Sequence, residues 1–181
     1  MSTSVRIGPE HGRLLLRTGR QGVAAQAGHD LTIEVTRWSG ELVLADEVGD
    51  STLSVTVETG SLRVVEGVGG LKPLSDRDKR EIGVTARRLL ETDRQPQATF
   101  TSSKVTGSEQ GGAVDGTLTV RGTGRPFHLS VDHPSENVFK ATGTVVQSEY
   151  GIKPYSAFLG ALKLADEVRV EAEFDLAGND Q

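Results

Sequence analysis

Apolar and polar residues alternate with a period of two along most of this chain. Near the C-terminus Val168, Val170, Ala172, Phe174 and Leu176 fall on one side, and Glu167, Arg169, Glu171, Glu173 and Asp175 on the other. Successive residues of a strand point to opposite faces, so this segment predicts a strand with an apolar face and a charged one. The same beat runs through Leu31, Ile33 and Val35 against Thr32, Glu34 and Thr36, and through Leu53, Val55 and Val57 against Ser54, Thr56 and Glu58. Residues 13–18 and 41–45 read as short apolar strands, and Thr18-Gly19-Arg20-Gln21-Gly22 as a turn. Residues 98–105 predict a strand with Phe100 buried. Residues 113–121 and 125–132 predict a hairpin around Gly122-Thr123-Gly124, with Leu118, Val120, Phe127, Leu129 and Val131 inward. Residues 137–148 add a further long strand. Many short, turn-separated strands favour an antiparallel barrel or sandwich over a parallel α/β sheet.

Two stretches break the rhythm. Ser75-Asp76-Arg77-Asp78 has the S-x-x-D form of a capping box. Behind it Ile82, Ala86, Leu89 and Leu90 recur at helical spacing among charged residues, so residues 75–91 predict one amphipathic helix lying on the sheet or across its mouth. Gly83, Val84 and Thr85 weaken it, and tertiary packing is needed to hold it. Residues 150–162 carry Tyr150, Ile152, Tyr155, Phe158 and Leu162 interrupted by Gly151, Pro154 and Gly160. This is an irregular or short helical segment greasier than a surface loop, placed to cover or plug a barrel.

Composition narrows the function. The 181 residues fit one domain, and the first ten, with little pattern, read as a loose arm before a domain over residues 11–178. Twenty basic residues against 25 acidic give a net charge of −5, which argues against nucleic acid or an anionic membrane as partner. Cysteine is absent, which excludes disulfides, thiolate metal sites and thiol catalysis. The N-terminal residues have no apolar signal-peptide core, and no run reaches membrane-spanning length, so the expectation is a cytoplasmic protein without stable membrane insertion.

Catalytic signals are sparse. The four histidines lack metal-ligand spacing, and neither a metal nor a cofactor is expected. His29-Asp30 reads either as an oriented acid/base pair or as a strand start whose carboxylate satisfies turn amides. No G-x-S-x-G elbow and no phosphate-binding glycine loop occurs. The apolar signal is stronger. With eight aromatic residues in all (five Phe, two Tyr, one Trp), the inward positions are mainly Val, Leu, Ala and Gly. Ala141 and Gly143 in mid-strand either leave room for a guest or let the strands coil tightly, and the sequence leaves both open.

At GHDLTIEVTRWSGELVL (residues 28–44) the chain resembles the YceI-like family of bacterial lipid-binding proteins. LKPLSDRDKREI followed by RQPQATFTSS, then GTLTVRGTGRPFHLSV, then YGIKPYSAFLGALKLADEVRVEAEFDL resemble further family segments in the same order, over residues 11–176. The resemblance implies a lipocalin-like, eight-stranded antiparallel β-barrel holding a long apolar lipid (a polyisoprenoid, an isoprenoid quinone or a fatty lipid) in an elongated tunnel, as carrier, storage or sequestering protein. Alternation and resemblance together place Ile33, Val55, Phe100, Leu118, Phe127, Leu129 and Phe174 on the tunnel wall. They place Tyr150, Ile152, Tyr155 and Phe158 at its mouth or cover, with His29 as a head-group contact. Ordinary core is the competing reading for each. Two rival functions remain: a small-barrel isomerase or hydrolase using His29 and Asp30, and an unliganded, homodimeric interaction module.

Overall fold

A computed structural model describes residues 1–181 apart from 23, 26, 27, 109, 158–161 and 178–181. The elements in chain order are β1 (Thr3–Ile7), β2 (Gly12–Gln21), β3 (Asp30–Val35), β4 (Trp38–Leu44), β5 (Thr52–Glu58), β6 (Leu62–Val68), α1 (Asp76–Leu89), β7 (Gln97–Ser108), β8 (Gly111–Val120), β9 (Thr123–Ser135), β10 (Val138–Val146), β11 (Ser156–Ala157) and β12 (Leu162–Asp175). All pairings are antiparallel, in the order β1-β4-β5-β7-β8-β9-β10-β12-β2-β3-β6, with β11 beside β12.

Among the described residues the architecture is all-β with one α-helix, a single curled antiparallel sheet. Its path among the described residues holds eleven strands rather than the expected eight, and the surplus has a physical origin. β3 runs into β4 through Thr36 and Arg37, and β5 into β6 through Thr59–Ser61. β3 pairs with β6 and β4 with β5, so two long ribbons stay paired across a shared corner. Ser61 holds that corner. Its hydroxyl donates to the Glu58 carbonyl at 2.7 Å, its oxygen accepts from the Arg37 amide at 3.0 Å, and its carbonyl accepts from the Thr36 amide and hydroxyl at 3.0 and 2.8 Å. Ser61 and Thr59 are buried, and these bonds supply the partners that buried polar groups require. The corner folds the two ends of the sheet path toward each other.

The first ten residues are not a loose arm throughout. Thr3–Ile7 pairs with β4, and Ile7 is buried beside Leu14, Val35 and Trp38. The turn expected at residues 18–22 falls at the end of that stretch. β2 continues to Gln21, and Gly22 turns the chain at φ 96°. The hairpin between β8 and β9 closes on Arg121 and Gly122, both at positive φ (54° and 75°), the pattern of a two-residue turn whose twist matches its strands. The helix begins where the capping box predicts. Ser75 Oγ accepts from the Asp78 amide at 3.1 Å and the Asp78 carboxylate accepts from the Ser75 amide at 3.0 Å. Residues 147–150 form a 3-10 turn ended by Gly151 in the left-handed region. The segment after it is irregular to Tyr155 and then enters β11, so residues 156–157 are strand rather than helix, and 158–161 lie outside the described residues.

Inward positions cluster by location. Phe100, Val114, Phe127, Leu129 and Ala141 form the β7–β10 wall, with Phe100 and Phe127 edge to face at 5.9 Å. Ile7, Leu14, Val35 and Trp38 gather at one end. Ala98, Val120, Tyr150 and Ile152 pack near Leu89 and Leu90 at the end of the helix. Among the described residues no large side chain is completely sealed; even Val35 and Tyr150 keep 3 % exposure. Side chains of a close-packed interior face other atoms on all sides. These face a void on one.

Candidate functional site: an apolar chamber inside the sheet

The void is a cavity of about 700 Å³. Its walls come from every strand of the main sheet path and from the face of α1 carrying Ile82, Ala86 and Leu89. The alternation explains this lining. On each strand the residues of one parity turn inward, as Leu53, Val55 and Val57 do on β5 and Val168, Val170, Ala172 and Phe174 on β12. Acidic and basic partners occupy the opposite parity, for example Arg17 with Glu171 at 2.7 Å. α1 covers the end of the chamber flanked by β3 and β6, where Ile82 and Leu74 lie against Leu31, Ile33 and Val64.

All seven wall candidates, Ile33, Val55, Phe100, Leu118, Phe127, Leu129 and Phe174, line this cavity. Of the mouth candidates His29, Ile152 and Tyr155 line it, whereas Tyr150 does not. Tyr150 is packed against the lining residues Ala98, Val120 and Ile152, and burial pushes its hydroxyl above the ordinary tyrosine pKa, with Glu149 reinforcing the shift and Arg125 opposing it. Phe158 lies outside the described residues. Ala141 lines the cavity, but Gly143 does not leave room for a guest. A Cβ built there meets the Phe127 ring at 2.7 Å and the His128 carbonyl at 2.8 Å, so its lack of a side chain admits the Phe127 ring.

Sequence reasoning missed several lining residues. Trp38 stands at the junction of two strand patterns and belongs clearly to neither; it is 7 % exposed and lies at the Ile7 end of the chamber. Ile7 is hidden by its place in a segment without alternation. Arg20 falls in the expected turn, yet the step of two from Leu14 through Leu16 and Thr18 reaches it, and all four line the cavity. Following that step past Thr18 is the signal that would have found it.

The two ends of the chamber differ. One is apolar and closed by Ile7, Leu14, Val35, Trp38 and Phe174. The other is bordered by exposed or half-exposed polar residues, Thr18, Arg20, His29, Asp78, Glu81, Gln147 and Tyr155. Here His29 and Asp30 are not brought together as a dyad. The Asp30 carboxylate accepts from Arg20 Nε at 3.0 Å and Nη2 at 3.4 Å, while His29 Nε2–H donates to the Lys72 carbonyl at 2.6 Å. Arg20 also donates through Nη1 to the Ala25 and Gly28 carbonyls. Gly69 and Gly70, at φ 87° and 75°, lie so close to the Arg20 guanidinium and the His29 ring that a Cβ on either would sit within 2.8 Å of them. His29 therefore ties the segment entering α1 to the start of β3, and Arg20 ties the end of β2 to that same start. The carboxyl of Asp78 is held below the usual aspartate range, first by the backbone amide and then by the hydroxyl of Ser75, with Arg77 and His29 adding to it. Among the described residues no group of three or more His, Asp or Glu is placed to hold a metal ion, and no helix is long and apolar enough to cross a membrane.

Fold and chamber together define an all-β protein whose curled antiparallel sheet, with one helix packed on it, surrounds an apolar space bordered at one end by polar residues. The YceI-like domain model matches residues 6–176, and the chain belongs to that family. No curated protein matches it by sequence. Among solved structures it is similar to BcnA of Burkholderia cenocepacia, at 14 % identity and a TM-score of 0.65, covering 90 % of this chain and 94 % of that one. It is similar to a YceI protein of Campylobacter jejuni at 14 % identity and a TM-score of 0.61, covering 79 % and 82 %. A polyisoprenoid-binding domain from Saccharophagus degradans, implicated in plant cell wall breakdown, matches at 14 % identity and a TM-score of 0.57, covering 97 % and 99 %. At this identity the likeness is one of fold.

Proposed function

We propose that this protein binds a long-chain apolar lipid of the polyisoprenoid type inside the curled sheet, as a carrier, storage or sequestering protein without covalent chemistry. The observation that carries the reading is the chamber: about 700 Å³, lined almost throughout by aliphatic and aromatic side chains. That volume falls in the range of about 300–1,000 Å³ that small-molecule sites occupy. Membership of the YceI-like family and the fold shared with a polyisoprenoid-binding domain support the choice of ligand class. Tail length is the source of affinity, since each methylene taken from water contributes about 0.8 kcal/mol. The tail lies toward Trp38 and Ile7, the head group at the polar mouth. Ile33, Val55, Phe100, Leu118, Phe127, Leu129 and Phe174 form its wall, and Ile152 and Tyr155 its entrance.

Native mass spectrometry of freshly purified protein tests this, with a co-purifying lipid that organic extraction removes as the expected result. Trp38, the chain's single tryptophan, gives a second readout. Titrating geranylgeraniol into extracted protein should shift and saturate its emission. No bound lipid together with an unresponsive Trp38 would refute the proposal. The enzymatic alternative has no support from the geometry of His29 and Asp30, each of which is bonded elsewhere.

A further inference from the structure

The ligand's head group must meet the mouth, and the charges there are lopsided. Among the described residues the cavity lining holds one permanent cation, Arg20, and two carboxylates, Asp78 and Glu81. The cation is already engaged. Asp30 takes Arg20 Nε and Nη2, two backbone carbonyls take Nη1, and the Gly69 backbone lies over the outer nitrogen. His29 is turned by its Nε2–H to the Lys72 carbonyl. The carboxylates have no comparable neutralisation. Asp78 accepts from the Ser75 amide with Arg77 and His29 as its basic neighbours, and Glu81 is met at 3.2 Å by the same Arg77, whose side chain is 82 % exposed and screened by solvent.

The helix start does not reverse this balance. A helix N-terminus attracts anions through free amides and its dipole. In α1 the Asp78 amide is taken by Ser75 Oγ, and Asp76 and Asp78 occupy the first turn. An anionic head group at the mouth would lie against two carboxylates without a free cation among the described lining residues. Neutral hydrogen-bonding capacity is available instead. Thr18 accepts from the Leu31 amide at 3.1 Å and keeps its O–H to donate, and Gln147 donates to the Ala165 carbonyl at 3.1 Å and keeps its side-chain oxygen to accept.

We propose that the mouth selects lipids with an uncharged polar head group, a hydroxyl or carbonyl, over the same tail carrying a phosphate or carboxylate, and that Asp78 and Glu81 enforce the choice. This rests on the lipid-binding reading above. The test compares geranylgeraniol with geranylgeranyl monophosphate, each titrated into lipid-extracted protein at low salt and followed by Trp38 emission. The alcohol should bind at least about tenfold tighter. In the double variant Asp78→Asn, Glu81→Gln, the carboxamide oxygen introduced in place of the Asp78 carboxylate can still accept from the Ser75 amide. There the ratio of the two dissociation constants should fall toward unity. Raising the salt should compress the wild-type ratio, because exposed charges are screened. Equal binding of both lipids by the wild type would overturn the selectivity while leaving the lipid chamber standing. A wild-type preference that the double variant retains would overturn the role of the two carboxylates. Failure of both lipids to bind would overturn the underlying function and the selectivity with it.

Discussion

Ala141→Leu separates a chamber from a packed core by the sign of its effect. Ala141 on β10 is the cross-strand neighbour of Ala172 on β12, and both small side chains line the same stretch of cavity wall. Leucine adds three carbons. If they enter empty space, burial at about 0.8 kcal/mol each offers about 2.4 kcal/mol. Fixing the new side chain takes back about 0.5–1 kcal/mol, leaving a net stabilisation of about 1.5 kcal/mol. For a chain of this size each kcal/mol moves Tm by about 2–4 °C, so lipid-extracted Ala141→Leu should melt about 3–6 °C higher than wild type. The same carbons take space from a guest. Excluding even two methylenes from the chamber costs a lipid about 1.6 kcal/mol, or about tenfold in affinity. Differential scanning calorimetry of extracted protein and the Trp38 titration give the two readouts. In an interior without a void, three extra carbons overpack it at about 1–3 kcal/mol. A Tm lowered by about 2 °C or more, with lipid binding unchanged, would refute the argument.

Other substitutions test the frame around the chamber. Gly143→Ala places a methyl against the Phe127 ring and the His128 carbonyl, and should destabilise by about 1–3 kcal/mol in urea unfolding. Ser61→Ala removes the hydroxyl shared by Glu58 and Arg37 at the buried corner, leaving groups unpaired at about 1–3 kcal/mol, again read by urea unfolding. The Asp78 carboxyl is held below its ordinary value, so its contribution to the helix cap is present above the unfolded-state pKa near 3.8 and is lost as pH falls through the lower folded value. Hydrogen exchange within α1, corrected for intrinsic rates, should quicken over that acidic interval in wild type, and the dependence should be absent in Asp78→Asn.

The parts of this protein that repeat a simple period were legible, and the parts that depend on a single contact were not. Alternation picked out Val55, Phe100, Leu118 and Phe174 because inward and outward positions differ in polarity at every step. The capping box located the start of α1 to the residue for the same local reason. The corner at Ser61 leaves no such trace. It is built from serine and threonine side chains bonding to backbone groups of a neighbouring ribbon, and the same residues are ordinary in strands or loops, so two long bent ribbons are invisible in the pattern. Arg20 and His29 illustrate the limit at the mouth. Their residue types suggest a charge for a ligand or a base for catalysis, and partners 10 and 43 residues away decide that they instead hold the chain in place. The chamber itself was a choice between two uses of small side chains, and the chain used both: Ala141 lines the void while Gly143 receives Phe127.

A ligand with a long tail must enter and leave the chamber, and what encloses it differs in strength around its circumference. β7 to β10 are held by long ladders and by the Phe100–Phe127 core. α1 has no buried residue, and its main sheet neighbour is β6. It is entered through Gly69 and Gly70 and left through Glu91, all at positive φ. Local opening concentrates where apolar burial is least, so α1 should open before the sheet does. Two substitutions away from the wall move that opening in opposite directions. Ser75→Ala removes the capping hydroxyl, a loss of about 1 kcal/mol. Gly83→Ala raises helix propensity by about 0.8–1 kcal/mol, and the added methyl meets nothing within 4 Å. Protection of α1 amides should therefore fall about fivefold in the first and rise about fivefold in the second, with the amides of β7 to β10 unmoved. Release of bound geranylgeraniol should follow the same order, fastest in Ser75→Ala and slowest in Gly83→Ala. Equal release rates in proteins whose helix protection differs would show that the lipid leaves by another route.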